Sequence, residues 1–272
     1  MRWLFALSLG LLASRARATP FVVCLDPGHG GVHDGAISPR HVKEKDVALQ
    51  VAKDLRALLV RQGDVKVVMT REGDRDVGLR ERTAIANGAH ADLFVSIHCN
   101  SMPTRTARRT AHGVETYFLS ADASDAEADA LAARENADSD EAPAGSSSDP
   151  IGLILQDLAR DQAHQDSALL AEDVHRTLVR ALRARNRGVK QAPFIVLLGA
   201  EMPAVLVEIG FISNPVEGAR LARAAYQERV AHALEDAIDS YRKNVFAHRT
   251  APGATAAASG TSTVITSPGS VK

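Results

Sequence analysis

Apolar and polar positions along this chain follow two rhythms. Short stretches rich in apolar, β-branched and aromatic residues stand at residues 21–25, 65–69, 93–97, 114–118, 194–198 and 205–207. Runs of this length bounded by turn residues predict buried strands. Between them, apolar residues recur every three or four positions, the spacing of helices with one buried face. Val47, Val51, Leu55 and Leu58 stripe residues 46–62, and Gly63 ends that helix. Residues 79–87 read as a short helix closed by Gly88. Leu170, Val174, Leu178 and Leu182 stripe another. Arg183, Arg185 and Arg187 follow near its C-terminal end, where cations suit the helix dipole. A long closing helix is expected over 216–241. Strands separated by helices predict an α/β fold, a twisted, mostly parallel sheet flanked by helices on both faces.

Both ends depart from this pattern. Residues 3–13 are apolar behind Arg2, too short a run to span a bilayer, and Ala16-Arg17-Ala18 follows as small-x-small. This predicts a signal peptide over 1–18, cleaved after Ala18, and export to the periplasm. Residues 247–272 are rich in Ala, Thr, Ser and Gly, with too little apolar surface to offset the entropy of ordering, so a disordered tail is expected. The domain between them spans 19–246. Composition narrows the function classes. With 32 basic and 33 acidic residues the net charge is −1, which excludes a chain-wide basic field for nucleic acid. Two cysteines exclude a disulfide-rich scaffold and a four-cysteine zinc site. Export permits a Cys24–Cys99 disulfide, while their apolar strands equally fit two buried thiols.

Ligands in open α/β sheets bind beyond the carboxyl ends of strands. His29 follows the first strand in Asp26-Pro-Gly-His-Gly-Gly31, His98 closes the third, and Glu208 closes the last. Glu44 lies just ahead of the first long helix. Two imidazoles and a carboxylate with an open fourth position form the ligand set of a catalytic zinc site, and a further carboxylate could activate water there. Taken singly, His29 also reads as a loop hydrogen-bonder and Glu44 as a first-turn helix carboxylate. Glu208, at the end of an apolar strand, needs a charge or hydrogen-bond partner. No His-Glu-x-x-His helix is present, which excludes a thermolysin-like arrangement.

Seven motifs then occur in one order. They are Asp26-Pro-Gly-His-Gly-Gly31, Glu44-Lys-Asp46, Thr70-Arg71, Leu79-x-Glu-Arg-x-x-Ile-Ala-Asn87, Ala91-Asp-Leu-Phe-Val-Ser-Ile-His-Cys-Asn100, Gly113-Val-Glu-Thr-Tyr-Phe118 and Val207-Glu-Ile-Gly-Phe-Ile-Ser-Asn214. In this order they resemble the zinc-dependent N-acetylmuramoyl-L-alanine amidases, in particular the periplasmic cell-division type, over residues 21–244. Cys99 departs from the usual alanine, and the targeting domain that can follow the signal in such enzymes is not expected. The resemblance implies zinc held by His29, Glu44 and His98, with Glu208 as the catalytic carboxylate. It implies hydrolysis of the amide joining N-acetylmuramic acid to L-alanine in peptidoglycan, for wall remodelling and daughter-cell separation. A zinc peptidase acting on stem peptides and a catalytically silent wall-binding protein are the competing readings.

Residues 121–150 are strongly acidic and belong to a regulatory helical insert expected over 121–165. Ser124-x-x-Glu127 reads as a capping box opening a helix through Glu135. Helical spacing puts Ala128, Leu131, Ala132 and Glu135 on one face. Leu131-Ala-Ala-Arg-Glu-Asn136 is similar to a sequence in the division amidases, where a helix plugs the site and a glutamate takes the open zinc position. That resemblance makes Glu135 the candidate autoinhibitory ligand. Asp149-Pro150 opens a further segment, with Ile151, Ile154, Leu155 and Leu158 as an apolar stripe. The resemblance implies a partner-binding element near here, recognised by a LytM-domain activator. Arg105, Arg108 and Arg109 read as a solvated loop, and His33, His41 and His112 as loop residues.

Overall fold

The computed structural model describes residues 19–138 and 162–246. The chain runs β1 (Phe21–Pro27), α1 (Glu44–Val60), β2 (Val65–Met69), α2 (Leu79–Gly88), β3 (Leu93–Asn100), α3 (Arg105–Thr110), β4 (Val114–Leu119) and α4 (Ala126–Glu135). It continues with α5 (Gln162–Leu182), β5 (Asn186–Ala192), β6 (Ala204–Phe211), α6 (Pro215–Leu221) and α7 (Ala224–Tyr241). The expected signal peptide, the segment opened by Asp149-Pro150 with its apolar stripe, and the expected tail lie outside the described residues. No helix among the described residues is long and apolar enough to cross a membrane.

Six strands form one sheet in the order β2-β1-β3-β6-β4-β5. β2, β1, β3 and β6 are parallel, β4 meets β6 antiparallel, and β5 runs parallel to β4. Alternation along each strand divides the interior in two. On one face Val95, Ile97, Val205 and Val207 pack under α1, α5 and α7. On the other, Phe94, Tyr117 and Leu206 pack with α2, α4 and the 194–198 segment. Helices therefore cover both faces, as the strand–helix alternation requires.

Four local expectations are corrected. The apolar run 194–198 is a buried 3-10 turn at Ile195–Leu197, not a strand. The strand lies instead at Asn186–Ala192, an edge strand too polar to read as one. The closing helix is two helices, α6 and α7, because the chain turns at Ala222 and Arg223. Helix α4 is capped by Asp125, whose carboxylate accepts from the Ala128 amide at 2.8 Å. The Ser124 hydroxyl is engaged with the Gln191 backbone instead. Both cysteines are free and buried. Cys24 sits in the core on one face of the sheet and Cys99 in that on the other, which forbids the disulfide.

Candidate metal and catalytic centre

Register places the chemistry. His98 on β3 pairs with Glu208 on β6, and Glu208 pairs with Glu115 on β4. Residues paired across neighbouring strands share a face. His98, Glu208 and Glu115 therefore form one row across the middle of the sheet, at the carboxyl ends of β3 and β6. His29 comes from the turn after β1, and Glu44 is the first residue of α1. Gly28 and Gly35 permit this crowding. A Cβ on Gly28 would lie 2.4 Å from the His98 ring, and one on Gly35 2.5 Å from the His29 ring.

Beneath the site, Asp26 is fully buried. It accepts from Arg82 at 2.9 Å, Thr70 at 2.6 Å and Ser96 at 2.7 Å. Burial pushes the Asp26 carboxyl up, but the Arg82 guanidinium and the two hydroxyls hold it below the ordinary aspartate range. Arg82 also donates to the carbonyls of Pro27 and His29, and Arg71 to those of Pro27 and Gly28. These two buried arginines brace the turn that presents His29. Their packing explains why Thr70-Arg71 and the 79–87 motif accompany the histidine turn.

His29, Glu44, His98 and Glu135 each offer one ligand atom, and these four atoms lie within 4.8 Å of one another. His29 Nε2 is 3.1 Å from Glu44 Oε1 and 3.3 Å from Glu135 Oε2. His98 Nδ1 is 3.1 Å from Glu44 Oε1 and 3.0 Å from Glu135 Oε2. Ligands about 2.0–2.1 Å from a tetrahedral zinc would be separated by roughly 3.3 Å. The chemistry of the donors and these spacings fit such an ion. His29 Nε2 and Glu135 Oε2 are buried with no hydrogen-bond partner, as are both oxygens of Glu208. Buried polar atoms left this way mark a site for an ion or water.

The buried charges of the site act on one another. Burial disfavours the charged forms of both histidines, but the carboxylates win. Glu44 drives His29 upward, and Glu135 pushes His98 up to about 10. Burial likewise raises Glu44, yet His29 beside it holds it below the carboxylate range. Glu208 is pushed well up by burial, then by the nearby Glu135 and Glu44 charges. Backbone amides fix Glu44, since Ala36 N donates to Oε2 and Cys99 N to Oε1, each at 2.8 Å.

Thus the sequence-identified His29, Glu44 and His98 converge, Glu208 stands beside His98 in register, and Glu135 reaches the same point from α4. Asp138 was missed by sequence reasoning. It follows Glu135 by one helical step and accepts from His29 Nδ1 at 2.7 Å. His33, read as a loop residue, bonds the same carboxylate at 3.0 Å. Asn136 secures this end of the insert, donating to Pro193 O and accepting from Ile195 N at 2.8 Å each. A cavity of about 440 Å³ opens beside the cluster, lined by His29, His33, Glu44, Arg134, Glu135 and Asp138. Arg105, Arg108 and Arg109 are exposed as expected, but on the short helix α3 capped by the Thr104 side chain and not on a loop.

Fold and site together define an α/β domain with a four-ligand His/Glu cluster able to hold a metal. The family model for N-acetylmuramoyl-L-alanine amidases, Amidase_3, matches residues 23–240. AmiA of Escherichia coli K12 is 36% identical over 224 residues, 81% of this chain and 75% of that protein. AmiC of Escherichia coli O6:H1 is 35% identical over 83% of this chain, which spans only 54% of that protein. Among solved structures, the amidase of Clostridium difficile 630 aligns with a TM-score of 0.65 at 29% identity, covering 84% of this chain and all of that one. AmiC2 of Nostoc punctiforme aligns with a TM-score of 0.62 at 30% identity, covering 82% of this chain and 97% of that one. The chain belongs to the N-acetylmuramoyl-L-alanine amidase family, hydrolases that act on peptidoglycan.

Proposed function

We propose that this chain is a zinc-dependent amidase of the periplasm, held inactive by its own helix α4. His29 Nε2, Glu44 and His98 Nδ1 would hold the metal. The carrying observation is that these atoms and Glu135 Oε2 lie within 4.8 Å of one another, with two of them buried and unpartnered. When bound, zinc supplies Lewis-acid polarisation of a carbonyl and makes water a stronger nucleophile near neutral pH.

The chain's own residues do the rest. Glu208 takes the proton from the attacking water and returns it to the departing amine. Its two buried, unengaged oxygens, in register beside His98, suit both transfers. While α4 is docked, Asp138 accepts a hydrogen bond from His29 Nδ1 and so keeps Nε2 turned toward the metal position. Glu135 fills the position that substrate needs, so α4 must leave before turnover.

The bond cleaved is the amide between the lactyl group of N-acetylmuramic acid and L-alanine. The cellular role is wall remodelling and daughter-cell separation, reached through an N-terminal signal peptide. Release of α4 is assigned to a LytM-domain activator docking on the insert. Protein partnership has a precedent among the structural neighbours, where the CwlD amidase of Clostridioides difficile is in complex with the GerS lipoprotein.

Mass spectrometry of products from purified peptidoglycan tests this, using zinc-loaded Glu135→Ala protein. Free stem peptides beginning with L-alanine, and glycan with bare lactyl groups, are expected. Shortened peptides still joined to muramic acid would make the chain a peptidase instead.

A further inference from the structure

The row formed by His98, Glu208 and Glu115 does not end at β4. Strand β5 pairs Asn186 with Val114 and Val189 with Thr116, so Arg187 and Gly188 together face Glu115. Such a bulge re-aims a side chain, and Gly188 adopts the positive φ of 94°. Arg187 Nε meets Glu115 Oε1 at 2.8 Å, and Lys190 Nζ reaches the same oxygen at 3.2 Å. The Arg187 guanidinium stacks 4.9 Å from the Phe211 ring centroid. Glu115 also accepts from the Asn100 amide. This is a built cluster, with Glu115 buried and both cations nearly so.

Two cations against one carboxylate leave a positive charge over. In this conformation the insert covers it. Glu127 Oε2 lies 2.6 Å from Arg187 Nη2, and Asp125 Oδ2 lies 3.1 Å from Lys190 Nζ. Both acids ride at the start of α4, the helix that carries Glu135. A cavity of about 200 Å³ runs alongside, bounded by Asn100, Glu115, Glu127, Arg134 and Phe211. Removing α4 would therefore bare the metal-site position and a cationic seat in one movement.

We infer that Arg187 and Lys190 seat a substrate carboxylate on the peptide side of the scissile amide, and that Asp125 and Glu127 occupy this seat while α4 is docked. The inference rests on the amidase reading above. Near the scissile bond the glycan offers neutral sugars, while the stem peptide carries carboxylates. Strands about 4.8 Å apart put β5 roughly 10 Å from Glu208. An extended peptide advances about 3.3–3.6 Å per residue, so a carboxylate within the first three residues reaches the seat. Charge-assisted bonds to Arg and Lys discriminate such a carboxylate from its amide.

The test uses the full-length, metal-loaded Asp125→Asn/Glu127→Gln protein. Both substituted side chains are largely exposed, and Asn still caps α4. Muramyl tripeptides with free carboxylates at residues two and three, or with both converted to primary amides, are titrated by calorimetry and then analysed for products. The acid is expected to bind about tenfold more tightly than the amide. Adding Lys190→Gln should erase that preference, and Lys190→Arg should keep it. Equal affinities for acid and amide in the doubly substituted protein would overturn the seat, and cleavage of both would leave the amidase reading standing. Preferential acid binding with no lactyl–alanine cleavage, in the same protein also carrying Glu135→Ala, would keep the seat and remove that reading. An equal gain for both peptides over the wild-type chain would make the cations a latch for α4 alone, and overturn the inference.

Discussion

Arg82 is 2% exposed, and its ion-pair partner is the equally buried Asp26. Neutralising Asp26 strands that guanidinium beneath the His29 turn. Asp26→Asn is expected to cost about 3–5 kcal/mol, read from the urea midpoint. The pH dependence has a definite sign. A carboxyl held below its unfolded pKa of about 3.9 stabilises the fold above that value. The contribution is lost as pH falls through the depressed folded pKa, so wild type should lose its advantage over Asp26→Asn in acid. Glu208→Gln should behave differently. It should retain stoichiometric metal by elemental analysis while turnover falls by about 10²–10⁴-fold. Retained turnover would remove Glu208 from proton transfer. His29, Glu44, His98 and Glu208 were legible because strand ends and turn motifs carry them. Arg187 and Lys190 were not, because the β5 bulge that re-aims Arg187 has no signature in the spacing. Arg187 therefore read as a helix-end cation, whereas it is spent on Glu115 and Glu127.

Helix α4 is held by two kinds of contact. Ala128, Leu131 and Ala132 are buried against the Tyr117 and Leu206 side of the sheet. Glu135, Asp138, Asp125 and Glu127 hold it electrostatically. Deleting residues 121–148 would strip the apolar cover as well as Glu135, so a point change separates the two. Glu135→Ala should raise activator-independent hydrolysis by roughly 5–150-fold with little change in melting temperature. Unchanged low activity would count against autoinhibition. The face of this helix was readable from its spacing, since Ala128, Leu131, Ala132 and Glu135 do point inward. Its cap was misplaced by one residue because Ser124 and Asp125 are adjacent capping types, and the Ser124 hydroxyl is drawn to β5. Elements with one wet face hide in this way. Edge strand β5 is polar enough to pass for a loop, while the wholly apolar 194–198 segment passes for a strand.

At the scale of the molecule, one sheet separates an apolar compartment under α1, α5 and α7 from a compartment that ends in the ligand cluster. The α/β class and the two-sided cover followed from strand–helix alternation. The reversal of β4 and β5 did not, because strand direction depends on how the chain crosses the sheet and not on local pattern. Glu135 links this architecture to its environment. If Glu135 ligates the ion and α4 moves, as proposed above, ion occupancy and helix docking are reciprocal, each favouring the other by the same free energy. Zinc would then act as an inhibitor of opening as well as a requirement for chemistry. Chelation should speed proteolysis within 121–138 in the wild-type chain, and should have no such effect in Glu135→Ala. The same reciprocity makes the docked form the better zinc binder, so each activation event would also be a momentary loosening of the enzyme's hold on its own metal.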